Sequence, residues 1–225
     1  MLTNRFDGIG MTSTRTRTRM IDRLREQGIR DEVVLAAMNA VPRHIFVDEA
    51  LAIRAYEDTP LPIGSGQTIS QPWVVARMCE LARHGRELDS VLEVGTGCGY
   101  QTAVLAQIAK TVYTVERIGS LVNKARRNLQ ALKVGNVRLK HGDGGSDLGE
   151  DLVVDAIIVA AGATHLPATL QKHLKPGGRI VVPLASRDEG ERGVQRLTVF
   201  ESTPSGLRET ALDAVRFVPL LAGRA

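Results

Sequence analysis

Three acidic residues stand where apolar segments end: Glu93 in VLEVGTGCGYQTA, Glu116 in TVYTVE and Asp143 in HGDG. Gly95, Gly97 and Gly99 follow the first acid and open what reads as a helix. Glycines between a buried strand and a helix allow a tight turn and close backbone approach to a ligand at the helix N-terminus. The spacing is G-x-G-x-G, with Tyr100 where the dinucleotide fingerprint G-x-G-x-x-G needs its third glycine. The phosphate loop G-x-x-x-x-G-K-[ST] is absent as well. Glu93 lies two residues before Gly95, where an acid would repel a pyrophosphate and attract a cation. S-adenosylmethionine, with a sulfonium and an ammonium, is such a ligand. Glu116 follows Gly95 by 21 residues, where an acid accepts from both ribose hydroxyls, and Asp143–Gly144 close the next strand, where a carboxylate meets an adenine amino group. Any one of these residues alone also reads as a turn former or a helix cap. In register with three strand ends, Glu93, Gly95, Gly97, Glu116, Asp143 and Gly144 form one expected cofactor site.

A second stretch, PIGSGQTISQP from Pro62 to Pro72, carries no charge and has hydroxyls at Ser65, Thr68 and Ser70. Such a loop is either a plain turn that caps the next helix or the floor of a site. Ser70 has two readings at this point. It precedes Gln71-Pro72, where a helix begins, so its hydroxyl can be an N-cap; it can equally face a substrate, and the two roles can coexist because a cap also aims a helix N-terminus at an anion.

The elements that must hold these residues alternate. From Met20 to Val41 the pattern is helical, with Asp31 able to cap Val34, Ala37, Met38 and Val41, and Pro42 as the stop. DEALAIRAY reads as a short helix capped by Asp48, and PWVVARMCELARHG as another closed by Gly85. From Ser90 onward strands and helices follow one another: SVLEVG, YQTAVLAQIAK, TVYTVE, GSLVNKARRNLQALKVG, NVRLKHGD, VVDAIIVAAGA, LPATLQKHLKPGG, then strands in RIVVPLA, RLTVFES and ALDAVRFVPL. This order predicts an α/β fold with a doubly wound, mostly parallel, Rossmann-like sheet and an N-terminal helical addition. Residues 1–18 are expected as a flexible extension, and 19–225 as one domain. Its helical part over 19–85 carries loop 62–72, and 86–225 hold the cofactor-binding sheet and the C-terminal strands.

The chain has 225 residues, 43% of them hydrophobic and 24% charged, enough for one domain with a sizeable core. Net charge is +4, and Arg15, Arg17, Arg19, Arg23 and Arg25 supply a local excess that reads as a frayed tail and solvated helix face, or as a contact for RNA. Cys79 and Cys98 form no metal or disulfide pattern, which suits a reducing cytosol. None of the five histidines pairs at metal-ligand spacing, so no metal is expected. No run approaches the ~18 apolar residues of a membrane span, and the N-terminus lacks the apolar core of a signal peptide. A Cys98 nucleophile is disfavoured because no histidine neighbours it.

The motifs VLEVGTGCGYQTAVLA, VERI, HGDG, DAIIV and LKPGGRIVVPL resemble those of class I S-adenosylmethionine-dependent methyltransferases. Two further stretches, LPIGSGQTISQPWVVARM and the C-terminal AVRFVPL, narrow the resemblance to the bacterial protein-L-isoaspartate O-methyltransferases, over about Met20 to Leu221. The resemblance implies methyl transfer from S-adenosylmethionine to the free α-carboxyl of L-isoaspartyl residues in damaged proteins and peptides, as repair. It places the active-site hydroxyl on Ser70 and the cofactor acids on Glu93, Glu116 and Asp143. Thr68 is then expected at the cofactor, and Ile69 and Gln71 between cofactor lid and substrate. The segment GSDLGEDLVVDA and the turn AAGATHLP depart from the family pattern, which puts the wall over the adenine in doubt. The expected protein is a cytoplasmic monomer with no nucleic-acid or membrane partner. The competing readings are a class I methyltransferase acting on a small molecule or tRNA, and a non-catalytic S-adenosylmethionine- or RNA-binding protein.

Overall fold

A computed structural model describes residues 8–146, 148–186 and 193–225. Helix α1 (Thr14–Glu26) starts earlier than the hydrophobic pattern predicts, because Ser13 caps it through the Thr16 N–H at 3.4 Å. The flexible extension expected over 1–18 is corrected accordingly: Thr14 to Thr18 are helical, and residues 1–7 lie outside the described residues. In the arginine run Arg15 and Arg19 are exposed, and the other three are engaged within the fold. Arg17 is buried, Arg23 donates to the Tyr56 carbonyl at 2.6 Å, and Arg25 pairs with Asp22 and Glu32. Helix α2 (Glu32–Ala40) is capped by Asp31, which accepts from the Val33 and Val34 N–H groups. Two 3-10 segments follow, Arg43–Phe46 and Glu49–Arg54. Asp48 does not cap the second; its carboxylate pairs with Lys124 at 3.0 Å.

The uncharged loop is a β-hairpin, with β1 (Leu61–Gly64) antiparallel to β2 (Gln67–Ile69). Its turn needs three successive left-handed residues, Gly64, Ser65 and Gly66 at φ 96°, 53° and 67°, which is why glycine brackets the serine. Helix α3 (Pro72–Arg83) follows, burying Val74, Met78, Leu81 and Ala82 on one face.

The main sheet is assembled from β3 (Leu88–Val94), α4 (Tyr100–Leu105), β4 (Ala109–Glu116), α5 (Gly119–Ala131), β5 (Val137–His141), β6 (Val154–Val159), α6 (Ala168–Gln171), β7 (Leu174–Ala185), β8 (Gln195–Thr203) and β9 (Gly206–Val215). Its seven strands lie in the order β5-β4-β3-β6-β7-β8-β9. The first five run parallel, and β8 and β9 are antiparallel. From β3 the chain steps outward to β4 and β5, then returns to β6 on the other side. The carboxyl ends of β3 and β6 therefore flank the switch point where ligands bind in such sheets. Helices cover both faces of the central strands, so Val91, Leu92, Ile157 and Ile158 are all buried, as their unbroken apolar runs require. One predicted helix is mostly absent. LPATLQKHLKPGG makes a single turn and enters β7 at Leu174, because Val154 N–H takes the His173 carbonyl and Gly178 packs where a side chain would meet the Asp155 carbonyl.

Candidate active site

The glycine turn lies at the switch point, with Gly95 and Gly97 in the left-handed region at φ 98° and 55°. A side chain on Gly97 would press on Ile63 of the hairpin, 3.3 Å from its Cδ1. Gly144 is as constrained: a Cβ there would clash with Val94 Cγ1. These close approaches leave a cavity between the hairpin, the glycine turn and the C-terminal segment. Thr68, Ile69, Ser70, Gly95, Gly97, Glu116 and Gly144 all line it. Glu93, Gln71 and Asp143 do not belong to its wall.

Glu93 is fully buried beneath the turn. It accepts from Thr102 Oγ1 at 2.5 Å, Thr114 Oγ1 at 2.7 Å and Gln101 Nε2 at 3.1 Å. Burial outweighs these bonds and pushes its carboxyl up to about 7. Its oxygens are spent on the helix and strand that hold the turn, so its charge lies beneath the turn and not in the cavity wall. Glu116 is placed differently. Its Oε2 accepts from Gly97 N–H at 2.8 Å and its Oε1 from Ile118 N–H at 3.0 Å, at the cavity wall. Each carboxylate oxygen has a second lone pair for a ligand hydroxyl. Asp143 accepts from Gly145 N–H at 2.8 Å and from Gly223 N–H at 2.6 Å, tying the turn after β5 to the C-terminal segment.

That segment is what the residue types alone did not place. Beyond β9, Gly162 N–H donates to the Val218 carbonyl and Leu220 N–H to the Gly162 carbonyl, which lays Val218, Pro219, Leu220 and Leu221 against the cavity. The FVPL motif was visible, but its role as a wall depends on a bridge to the loop after β6.

Ser70 sits half-buried at the hairpin end of the cavity. The cap reading of its hydroxyl is corrected: the N-cap of α3 is Gln71, and Asp58 accepts the Trp73 N–H at 2.9 Å. Among the described residues no hydrogen bond engages the Ser70 hydroxyl. Cys98 backs the turn as a buried thiol pushed up to about 11 by burial, which removes it as a thiolate nucleophile. Among the described residues no three His, Cys, Asp or Glu side chains converge as a metal site.

These residues fit S-adenosylmethionine. The turn presents bare backbone at Gly95 and Gly97, an acid with free lone pairs faces the cavity, and the hairpin wall carries no competing charge. A doubly wound sheet with this site at its switch point defines a class I S-adenosylmethionine-dependent methyltransferase. The family model for protein-L-isoaspartate(D-aspartate) O-methyltransferase matches residues 15–225. A protein-L-isoaspartate O-methyltransferase of Dechloromonas aromatica is 61% identical over 217 residues, spanning 96% of this chain and 98% of the relative. One from Chromobacterium violaceum is 54% identical over 223 residues, 99% of this chain and 98% of that protein. Among solved structures, a protein-L-isoaspartate O-methyltransferase superposes with a TM-score of 0.79 at 27% identity, covering 90% of this chain and 65% of the other. A candidate member from Plasmodium falciparum, in complex with S-adenosyl-L-homocysteine, gives 0.75 at 27% identity over 91% of this chain and 98% of its own. The chain belongs to the protein-L-isoaspartate(D-aspartate) O-methyltransferase family. It is a protein-repair enzyme that uses S-adenosylmethionine to methylate isoaspartyl residues.

Proposed function

We propose that Ser70 orients the α-carboxylate of the isoaspartyl residue, with the cofactor along the glycine turn. The observation that carries this reading is the uncommitted Ser70 hydroxyl on the uncharged hairpin side of the cavity. The cofactor supplies an electrophilic methyl group on a sulfonium. A carboxylate with a reference pKa near ~4 is ionised at pH 7, so the chain needs no general base. Its residues must strip water from the carboxylate and hold it in line, an effect worth up to roughly 7–11 kcal/mol when fully realised. A serine hydroxyl does this by donating one hydrogen bond, whereas an arginine would pair with the carboxylate and blunt its nucleophilicity. In the same reading Glu116 holds the ribose, Gly144 meets the adenine while Asp143 ties its turn to the C-terminal segment, and Gly95 and Gly97 let the backbone approach. Glu93 provides negative charge from below. Thr68 shapes the cofactor wall, and Ile69 and Gln71 the passage to the substrate.

A monomer is the active unit in this proposal. Its compartment is the cytoplasm, in keeping with two buried free cysteines. The same proposal calls for no nucleic-acid or membrane partner; Arg17, Arg23 and Arg25 are engaged within the fold, and no described helix is long and apolar enough to cross a membrane.

Ser70→Ala tests the assignment. Turnover on an isoaspartyl peptide is expected to fall about 10- to 100-fold, the scale of one lost orienting hydrogen bond, with S-adenosylmethionine affinity held within about twofold. Unchanged turnover would remove Ser70 from the chemistry. Labelled methyl transfer to the isoaspartyl peptide, and not to its aspartyl twin or to bulk tRNA, checks the acceptor.

A further inference from the structure

We infer that Asp58 is a positioning residue for Ser70: by capping α3 from outside, it keeps the serine hydroxyl available to the substrate. The inference rests on the Ser70 reading above and extends it to a residue 15 positions upstream of the N–H it caps. The first N–H groups of any helix need acceptors, and a Ser, Thr, Asp or Asn at the N-cap usually supplies one to the second or third helical residue. In α3 the N-cap is Gln71, in extended backbone at φ −57° and ψ 149°, with no side-chain bond. Pro72 at the first position has no N–H. The next donor, Trp73 N–H, goes to Asp58 Oδ1 at 2.9 Å.

The carboxylate is held for this task. Its Oδ2 accepts from Gln27 Nε2 at 3.0 Å, and Trp73 Nε1 returns to the Gln27 carbonyl at 3.4 Å. The backbone just before it is pinned by buried Arg43, whose Nε donates to the Ala55 carbonyl at 2.8 Å, and by Arg23 at the Tyr56 carbonyl. Without Asp58 the Trp73 N–H loses its acceptor and the first turn of α3 loses its tie to the preceding segment. Ser70 lies two residues before Pro72, so the backbone that carries its hydroxyl shifts with that turn and the hydroxyl leaves its line to the substrate.

A double-mutant cycle tests this. Asp58→Ala is expected to lower kcat on an isoaspartyl peptide about tenfold, the value of one lost hydrogen bond, with S-adenosylmethionine Kd unchanged. Asp58→Asn, which keeps an acceptor oxygen, restores most of it. In a Ser70→Ala background Asp58→Ala costs nothing further. Asp58→Glu, whose extra methylene displaces the oxygen, makes the same comparison if the alanine variant does not fold. An Asp58→Ala loss of equal size with and without Ser70 overturns the inference and leaves the Ser70 assignment standing. Full turnover in Ser70→Ala alone overturns that assignment, and the inference with it.

Discussion

Replacing Glu116 by Ala is expected to weaken S-adenosylmethionine binding about 100-fold or more, with kcat at saturating cofactor largely kept. The side chain does two jobs at once. Its oxygens accept the Gly97 and Ile118 N–H groups, fixing the glycine turn against the start of α5. The same oxygens present their remaining lone pairs at the cavity wall. Removing them leaves two backbone donors without an acceptor and takes away the groups proposed to meet the ribose hydroxyls. Hydrogen bonds to a charged partner are worth about 1.5–3 kcal/mol each, so losing two from the ligand accounts for the factor. The damage should fall on affinity because Glu116 acts on the part of the cofactor remote from the methyl group. Glu116→Gln is the sharper control: one face of its amide is a donor and cannot accept from Gly97 and Ile118 together, so it should bind weakly too. Calorimetric titration of both variants checks the expectation. A Kd within about threefold of the parent chain would place the ribose elsewhere.

How far the residues alone reach can be judged element by element. The central strands are legible because a parallel sheet covered on both faces needs unbroken apolar runs, and VLEV and VDAIIV are such runs. The glycine turn and the acids at successive strand ends are legible for the same reason, since the sheet fixes where its carboxyl edge falls. Failures occur where distant partners decide. LPATLQKHLKPGG has helical texture, yet the neighbouring strand claims its end through the His173 carbonyl. Glu93 reads as a cofactor acid from its place at a strand end, but that three donors from the sheet and α4 hold its oxygens under the turn depends on partners outside that motif. Ser70 has a cap's sequence context, and only the approach of Asp58 from another segment shows that the cap is already filled. The hairpin's lack of charge was plain from the start. Its packing against the glycine turn through Ile63 is set by the tertiary fold and leaves no mark in the local pattern.

Glu93 carries the expectation with the most distinctive pH signature. Burial raises its carboxyl to about 7 in the folded chain, against an ordinary value of 4.5, despite the Thr102, Thr114 and Gln101 bonds that favour the anion. The folded state therefore holds its proton more tightly than the unfolded chain does. Stability from this residue is fully present below about pH 4.5 and declines as pH rises, until it is lost above about 7. At ~1.4 kcal/mol per pH unit the loss between pH 5 and 8 comes to about 2–3 kcal/mol. Glu93→Gln has nothing to ionise, so urea unfolding at both pH values should show it gaining that amount relative to the parent. A constant difference between the two chains would mean that Glu93 is ionised throughout. The same linkage reaches the cofactor. A sulfonium and an ammonium above the turn favour the ionised carboxylate, so binding should expel its proton. Affinity for S-adenosylmethionine should then rise between about pH 5.5 and 7.5 in the parent chain and stay flat in Glu93→Gln. In the proposed reading, a buried acid that costs stability near neutral pH is the group that matches the pocket to a cation, and the two measurements together separate that role from one of packing alone.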